Sequence, residues 1–402
     1  MTWLLWTALA LAADVTICVD ADVDYDDADG NGTEDYFKNS GLKALRGVRV
    51  VLTENFGANN DIESYAEWEN NAASGLEPGC AAFTGISVAT GDTYDVAVES
   101  SFSVRSSTLE VRNSGGQQNM LFESAASAVQ FSADDELDYD VGPHRVWDVG
   151  AAAAHAIQRR DGGITMTPTF YVTDSQGTLH VPASCSGPCI VGEDIYISDA
   201  HAAKKFAIVK HLGTVLLYDL AGGTPVMDHS ASGASWGGSQ TTLISAEHWS
   251  SAAGRGFAYF YAATAFNKTQ EADCSFAHWM DLDFDGMGPP CFDTYDTLAG
   301  RHFSCAVGRA PLTPPANQLA YWSTNSQSSI GIPAGTALDV VRLFWELQSS
   351  GEVNFTEIVD LYAATSPATW TVPSTANFTA AWGSEGHDMA VWNAAKEKHL
   401  DD

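Results

Sequence analysis

The spacing of hydrophobic residues changes about one third of the way along the chain. Up to about residue 135 the apolar positions come in short runs, as at 48–52, 94–98 and 108–112, separated by Gly, Asn and Ser. β-Branched residues alternate or cluster within these runs, which is typical of antiparallel strands. This part of the chain therefore predicts a small β-sandwich with few helices.

Beyond the acidic segment 134–140, which we expect to be a connector, the pattern becomes mainly helical. Apolar residues at helical spacing predict helices over 146–160, 200–220, 250–267, 338–348, 355–361 and 385–398. Ser198 or Asp199 can cap the start of the helix over 200–220, and Gly222-Gly223 can end it. Short strands are expected at 170–173, 178–181 and 194–198.

These two patterns predict an α+β fold with two domains. An N-terminal β-sandwich with an acidic loop is expected over 14–135, and a second domain over 140–402. Residues 1–13 resemble a signal peptide, because a short apolar run ends in small residues that suit cleavage near Ala12 or Ala13. A short buried or anchoring helix is the alternative interpretation of this segment.

Charge and cysteine content restrict the location and the partners of the protein. The 402 residues contain 51 acidic and 19 basic side chains, which gives a net charge of −32 and makes nucleic acid and anionic membrane poor partners. Seven cysteines fit an oxidising compartment. Cys185 and Cys189 resemble half of a zinc ribbon, but no second half follows, so a local disulfide is predicted. We expect a protein that is secreted, periplasmic or on the cell surface, with no membrane span.

One helical segment, 208–217, resembles the active-site helix of zinc peptidases. Many such helices read H-E-L-G-H between apolar flanks, with two zinc-binding histidines one turn apart and a Glu that acts as general base. Aligned with that motif, Lys210 replaces the first His, His211 the Glu and Thr214 the second His. Leu212-Gly213 and the apolar flanks are retained.

A second segment extends the resemblance. Residues 255–262 read R-G-F-A-Y-F-Y-A, which is similar to an E-G-F-A-H-F-Y-A motif in secreted bacterial proteins that carry an N-terminal sandwich and a zincin-type metallopeptidase domain. The helix over 338–347 is similar to a late helix of the same group. The likeness covers residues 20–60 and 145–365. It implies a zincin-like second domain in which Arg255 replaces a Glu that is a plausible third zinc ligand.

Every one of these four motif positions (Lys210, His211, Thr214 and Arg255) departs from the family pattern. Catalytic zinc needs about three neutral or anionic donors, whereas Lys210 and Arg255 are cations. Two unit charges ~4 Å apart repel by roughly 4 kcal/mol at an effective dielectric near 20, and a divalent ion doubles this. We therefore expect no cofactor at the zinc position. The cations then replace the charge of the metal, form an anion pocket for a carboxylate, or are ordinary surface groups.

The remaining candidate sites have less support from the sequence than the metallopeptidase motif. Two acidic runs resemble calcium-binding loops, and each either holds a structural Ca²⁺ or is a solvated acidic loop. Their donor residues are Asp27, Asp29, Asn31, Asp35, Asp281, Asp283 and Asp285. Ser235 lies in a G-x-S-x-G match within a Gly/Ser-rich stretch, which does not suit a nucleophile elbow. The other histidines, including His201, follow no metal-binding spacing.

The leading functional expectation is a catalytically inactive, exported protein on a metallopeptidase scaffold that acts in binding or structure. Its inherited groove would hold a peptide or protein ligand. An active secreted metallopeptidase with a divergent metal site is one alternative, and a surface adhesion protein is another.

Overall fold

The chain has an α+β fold, as its hydrophobic pattern predicts, in which the two largest sheets contain four and nine strands. A computed structural model describes residues 12–25, 41–56, 60–72, 75–114, 120–121, 123–132, 135–160, 165–174, 176–185, 187–223, 247–266, 295–296, 301–302, 334–335, 337–366 and 375–399. The N-terminal sandwich and the zincin-like character of the second half remain predictions. Both calcium-loop candidates and Ser235 lie outside the described residues.

The strands follow one another closely in the first half of the chain. They are β1 Ala12–Val23, β2 Gly41–Ala44, β3 Val48–Glu54, β4 Asp61–Tyr65, β5 Cys80–Ser87, β6 Tyr94–Val104, β7 Ser107–Asn113, β8 Met120–Leu121, β9 Glu123–Val129, β10 Asp135–Asp140, β11 Thr169–Val172, β12 Cys189–Val191, β13 Asp194–Tyr196, β14 Glu247–His248, β15 Tyr295–Asp296, β16 Arg301–His302 and β17 Ala334–Gly335.

The helices dominate the second half. They are α1 Arg145–Arg160, α2 Asp199–Ala202, α3 Lys205–Leu220, α4 Trp249–Phe266, α5 Ala337–Ser349, α6 Phe355–Ala364, α7 Thr375–Ser384 and α8 Met389–His399. The helix expected over 200–220 is two helices, because Lys204 has an extended backbone with φ −126° and ψ 110°. This break lets Ala202 and Phe206 both face the core. None of the described helices has the length and apolar character needed to cross a membrane.

Strand β1 is the centre of the four-stranded sheet. It pairs with β10, β2 and β5, and its residues alternate between the core and the outer face. A disulfide joins Cys18 of β1 to Cys80, its direct partner on β5. The predicted local disulfide between Cys185 and Cys189 is also present. Two disulfides are consistent with an oxidising, extracellular environment.

The acidic segment expected to be a connector is not one over its described residues, because Asp135–Asp140 form strand β10, parallel to β1. Its acids alternate with Leu137 and Tyr139, which pack against the core, and this period of two suits a strand with one wet face. Burial raises the pKa of Asp20 on β1, and the charges of Asp138 and Asp140 raise it further. The outer face of this sheet is therefore a strip of mutually repelling carboxylates.

The nine-stranded sheet crosses the predicted domain boundary. Strand β11, from the second half, lies parallel to β7, from the first half, with Phe170 beside Val111. Strand β13 continues the sheet beyond β11. The strand expected at 178–181 does not form, because the Asp174 carboxylate accepts the backbone N–H of Thr178 and bonds the ring of His180.

Helix α1 connects this sheet to the helices of the second half. It packs on β6 and β7 on one side and on α3 and α4 on the other. A Cβ at Gly150 would lie 2.2 Å from the ring of Phe102, so only glycine allows this close approach of helix and sheet. The alanines of α1 are buried for the same reason: small side chains let a helix approach its neighbours on several sides.

A buried carboxylate fixes the start of α1. Asp148 accepts the backbone N–H of Asp24 at 2.9 Å and the Arg145 guanidinium at 3.0 Å, while its own carbonyl accepts the Tyr25 hydroxyl. Burial raises the pKa of Asp148 to about 6, although both hydrogen bonds to the carboxylate favour its charged form. The end of β1 and the first turn of α1 are thus held together by one acidic group.

Helix α4 lies between α3 and α5. It runs parallel to α5, since Gly256 meets Val340 and Phe260 meets Phe344, with 5.7 Å between the two ring centres. The buried Tyr362 hydroxyl of α6 donates to the Ala253 carbonyl of α4 at 2.8 Å. The hydrophobic core is continuous from the sheets through these helices.

Replacing Gly256 with alanine should destabilise the protein. The new Cβ would lie 2.5 Å from the Cβ of Val340 and 2.9 Å from the Ala337 carbonyl oxygen, so we expect the free energy of unfolding to fall by about 1–3 kcal/mol. Gly383→Ala is the control, because its Cβ would meet only the Met389 sulfur at 3.5 Å and should add up to about 1 kcal/mol of helix propensity. Urea unfolding measures both; a Gly256→Ala protein as stable as wild type contradicts the packing.

The Asp148 carboxylate should make stability depend on pH. Its folded pKa of about 6 lies above the ordinary value of 3.8, so its contribution is complete below pH 3.8 and is lost as the pH rises through 6. The unfolding free energy of wild type minus that of Asp148→Asn should therefore fall by about 3 kcal/mol across this window. Urea unfolding at several pH values measures this difference.

The partly exposed Asp174 provides a control of opposite sign. The hydrogen bond from the Thr178 N–H lowers the pKa of the Asp174 carboxyl, so the stability that this group contributes is lost as the pH falls. The unfolding free energy of wild type minus that of Asp174→Asn should therefore rise with pH. A difference for Asp148→Asn that is constant with pH, or that rises with it, would show that the buried acid is not disfavoured in its charged form.

Candidate functional site

The first feature of the candidate site is the burial pattern of α3. Between Lys205 and Leu217 every residue is buried except Lys210, His211 and Thr214, which are partly exposed. These are the three positions at which the metallopeptidase motif would carry its ligands and its base. The side chains are recessed rather than protruding, because none of them reaches the exposure of an ordinary surface residue.

Helix α4 shows the same pattern at its motif position. All residues from Ser251 to Ala265 are buried except Arg255, which is partly exposed. Arg255 is also the only charged residue of this helix. A buried helix gives a charged side chain access to water only where its neighbours leave an opening, so Arg255 marks such an opening along α4.

The two helices are antiparallel and very close. Phe206, near the start of α3, contacts Phe266, at the end of α4, with 5.2 Å between their ring centres. Midway, a Cβ at Gly213 would lie 3.0 Å from the Cα of Ala258 and 3.1 Å from the Cβ of Tyr261. Gly213, which aligns with the glycine of the H-E-L-G-H motif, therefore has a local structural role, because it lets the backbone of α3 approach α4.

One contact links the motif position on α3 to the face of α4 that carries Arg255. The Lys210 ammonium lies over the Tyr259 ring, with 5.1 Å from Nζ to the ring centre, which is within the range of a cation–π interaction. Tyr259 follows Arg255 by four residues, about 6 Å along the helix and on the same face. Tyr259 therefore contacts Lys210 on α3 and shares a helical face with Arg255 on α4.

Thr214 has a local hydrogen bond that limits its chemistry. Its hydroxyl donates to the Lys210 carbonyl one turn earlier, at 3.1 Å. Since a hydroxyl has a single proton to donate, Thr214 offers only an acceptor to a neighbouring group. It therefore contributes neither a donor for an anion nor an imidazole for a metal.

His211 faces a different neighbour from Lys210. Its ring lies 5.5 Å from that of His201 on α2, and both residues are partly buried. The Nε2 atom of His211 and the Nδ1 atom of His201 are shielded from solvent. The sequence alone does not show that His201 lies on a short separate helix, α2, which places its ring close to that of His211 on α3.

The motif positions do not fit a catalytic zinc ion. The Lys210 ammonium lies against an aromatic ring, the Thr214 hydroxyl is bonded to its own helix, and Arg255 is a guanidinium that stays charged. A zinc site needs neutral or anionic donors at these places. What the positions offer instead is positive charge beside an aromatic ring, which can bind and orient an anion but cannot activate water as a metal does.

A different group of metal-ligating side chains lies on the four-stranded sheet. Among the described residues, Cys18, Glu136 and Asp138 have ligand atoms within 4.8 Å of one another. Cys18 is bonded to Cys80, so its sulfur is not a thiolate and is not a metal ligand. The two remaining carboxylates belong to the repelling acidic strip.

The motif positions are identified from sequence alone, whereas the contact of Lys210 with Tyr259 depends on how the helices pair. Tyr259 shares a helical face with Arg255, and this can be read from the sequence. Its contact with Lys210 follows only from the antiparallel packing of α3 and α4.

Comparison with protein-family models and with curated proteins found no match. The metallopeptidase resemblance therefore depends on the two motif segments and on where the fold places them.

Proposed function

We propose that this chain is a catalytically inactive, exported member of the zincin-like metallopeptidases, which uses the cleft of an ancestral active site to bind a ligand. The observation that carries the proposal is the exposure pattern of α3 and α4. Two otherwise buried helices leave the four motif positions partly open to water. If these four positions had simply become part of the hydrophobic core, we would expect their side chains to be buried.

The chemistry of the replacements supports binding rather than catalysis. Each replacement removes a metal ligand or the base, and together they put an ammonium and a guanidinium where a divalent ion would be held. A fixed protein cation neutralises nearby acids but cannot lower the pKa of a water molecule in the way that a Lewis acid does. His211 alone would be a base without an activated nucleophile.

The helices also suit a rigid binding cleft. Gly213 fixes the distance between α3 and α4, and Gly256 fixes the distance between α4 and α5. A cleft on closely packed helices is pre-organised, so a ligand loses little free energy in ordering the protein. An exported protein with two disulfides is consistent with such a role outside the cytoplasm.

Restoring the metallopeptidase residues should create a zinc site. The combined variant Lys210→His, His211→Glu, Thr214→His and Arg255→Glu supplies three donors and a base at the motif positions, so we expect it to retain one zinc ion per chain. The wild-type chain should retain none. Equilibrium dialysis against micromolar zinc, followed by atomic absorption, measures both, with excess calcium present to occupy the acidic surface.

The triple variant that keeps Arg255 is the matched control. It has the two histidines but retains a cation at the third ligand position, so its zinc affinity should be clearly weaker. A folded combined variant that holds no zinc shows that the alignment of the motif is wrong. Stoichiometric zinc in the wild-type chain, together with chelator-sensitive casein hydrolysis, shows that the protein is an enzyme.

A further inference from the structure

We infer that Cys18 is the sulfur at which thiols attack the Cys18–Cys80 disulfide, and that the carboxylates of Glu136 and Asp138 make this site select cationic over anionic thiols. The inference concerns the four-stranded sheet and does not depend on the function proposed for the helices. It assigns a reactive position and a class of reactant to a bond whose other role is to link β1 to β5.

The two ends of this disulfide differ in their access to solvent. Cys18 is partly exposed, whereas Cys80 is buried, with 5% of its surface exposed. Thiol–disulfide exchange begins when a thiolate reaches one of the two sulfur atoms, so its rate depends on which sulfur is accessible. A thiol therefore attacks the Cys18 sulfur and releases Cys80.

The sheet fixes the direction from which the Cys18 sulfur is reached. At this position β1 pairs with β5 through Cys80 on one edge and with β10 through Asp138 on the other edge. Directly paired residues present their side chains on the same face of a sheet. The attacking sulfur approaches in line with the bond that breaks, so it comes to Cys18 from the side opposite Cys80. That side is occupied by β10.

Two carboxylates border this approach. Glu136 and Asp138 are exposed on β10, and one oxygen of Glu136 lies 4.0 Å from the Cys18 sulfur. This sulfur and a carboxylate oxygen from each of the two acids all lie within 4.8 Å of one another. An incoming thiol places the rest of its molecule beside these charges, which attract a cationic group and repel an anionic one.

The reacting thiol supplies both electrons of the exchange. Its thiolate forms a bond to the Cys18 sulfur, the Cys18–Cys80 bond breaks, and Cys80 leaves as a thiolate that takes up a proton. The product is a mixed disulfide on Cys18. A second thiol then attacks the reagent's sulfur in that mixed disulfide, which releases Cys18 as a thiol and leaves the reagent oxidised to its own disulfide.

Three two-carbon thiols that differ in their terminal group test this selectivity. Cysteamine carries an ammonium, 2-mercaptoethanol a neutral hydroxyl and 2-mercaptoethanesulfonate a sulfonate. The folded full-length chain is incubated with each thiol, free thiols are alkylated at intervals, and mass spectrometry of the digested chain gives the rate of reaction at Cys18.

Each rate is divided by the rate of the same thiol with bis(2-hydroxyethyl) disulfide, a neutral reference that removes differences in ionisation and nucleophilicity. On this scale we expect cysteamine to react roughly tenfold faster than the sulfonate, because two exposed carboxylates both act on the terminal charge. The neutral thiol should fall between them, and high salt should reduce the preference.

Charge variants locate the effect. Glu136→Gln combined with Asp138→Asn should reduce the preference to less than about threefold. Glu385→Gln combined with Glu397→Gln is the matched control, because it removes the same two charges from exposed positions in the helical half of the chain. The control should keep a preference within about twofold of wild type. Circular dichroism confirms that each variant is folded.

The position of the attached reagent tests which sulfur is attacked. Alkylation of the released thiol traps the mixed disulfide, and the expected product carries the reagent on Cys18 and the alkyl group on Cys80. Reagent found mainly on Cys80 overturns the inference, as does a disulfide that resists all three thiols while the chain is folded. Equal relative rates for the three thiols also overturn it. So does a preference that the two double variants change to the same extent.

Discussion

The arrangement of the second half depends on a single constraint: α4 is enclosed by other helices along nearly its whole length. Burial of a helix on all sides requires small or apolar residues at each contact, and α4 meets this requirement with alanines, aromatic rings and Gly256. Any charged residue in such a helix must reach water or a partner. Arg255 is therefore informative about the fold as well as about function, because it marks where the packing around α4 is open.

The same constraint shapes the α3 side of the proposed binding site. Gly213 lets α3 approach so closely that only a narrow strip of its residues stays partly open. In that strip, a long side chain such as Lys210 reaches an aromatic ring rather than bulk water. Under the proposed function, a charge that a metallopeptidase would import as a metal ion is built covalently into this chain. The electrostatic potential of the cleft then depends little on metal supply, and Arg255 keeps its charge at any physiological pH.

Local pattern was sufficient to predict much of this fold. The confirmed predictions are those in which the apolar residues show a clear period of two or of 3.6 residues. They are the strands at 48–52, 94–98 and 108–112 and the helices expected over 146–160 and 250–267, which the structure has at Arg145–Arg160 and Trp249–Phe266. The prediction of a connector at 134–140 is wrong for Asp135–Asp140, because the acids suggest a solvated linker although their alternation with Leu137 and Tyr139 is typical of a strand.

Other elements could not be found from local pattern. Helix α7 was not predicted, since Thr375–Ser384 mixes β-branched residues and glycine. It packs on helices earlier in the chain, as where Phe378 lies against Phe344 of α5. The motif positions follow from spacing along two helices, but their relation to Tyr259 does not. It requires the antiparallel pairing of α3 and α4, which depends on contacts far apart in sequence.

The pairing of β11 with β7 has a practical consequence for how this chain is handled. A fragment that stops near residue 140 would lose β11 and expose the backbone donors and acceptors of β7 that β11 now satisfies. A bare strand edge of this kind pairs readily with other molecules, and the fragment would also lose α1, which covers β6 and β7. Expressing the halves separately thus invites aggregates, and tolerated insertion points are better sought in surface turns than at this apparent boundary.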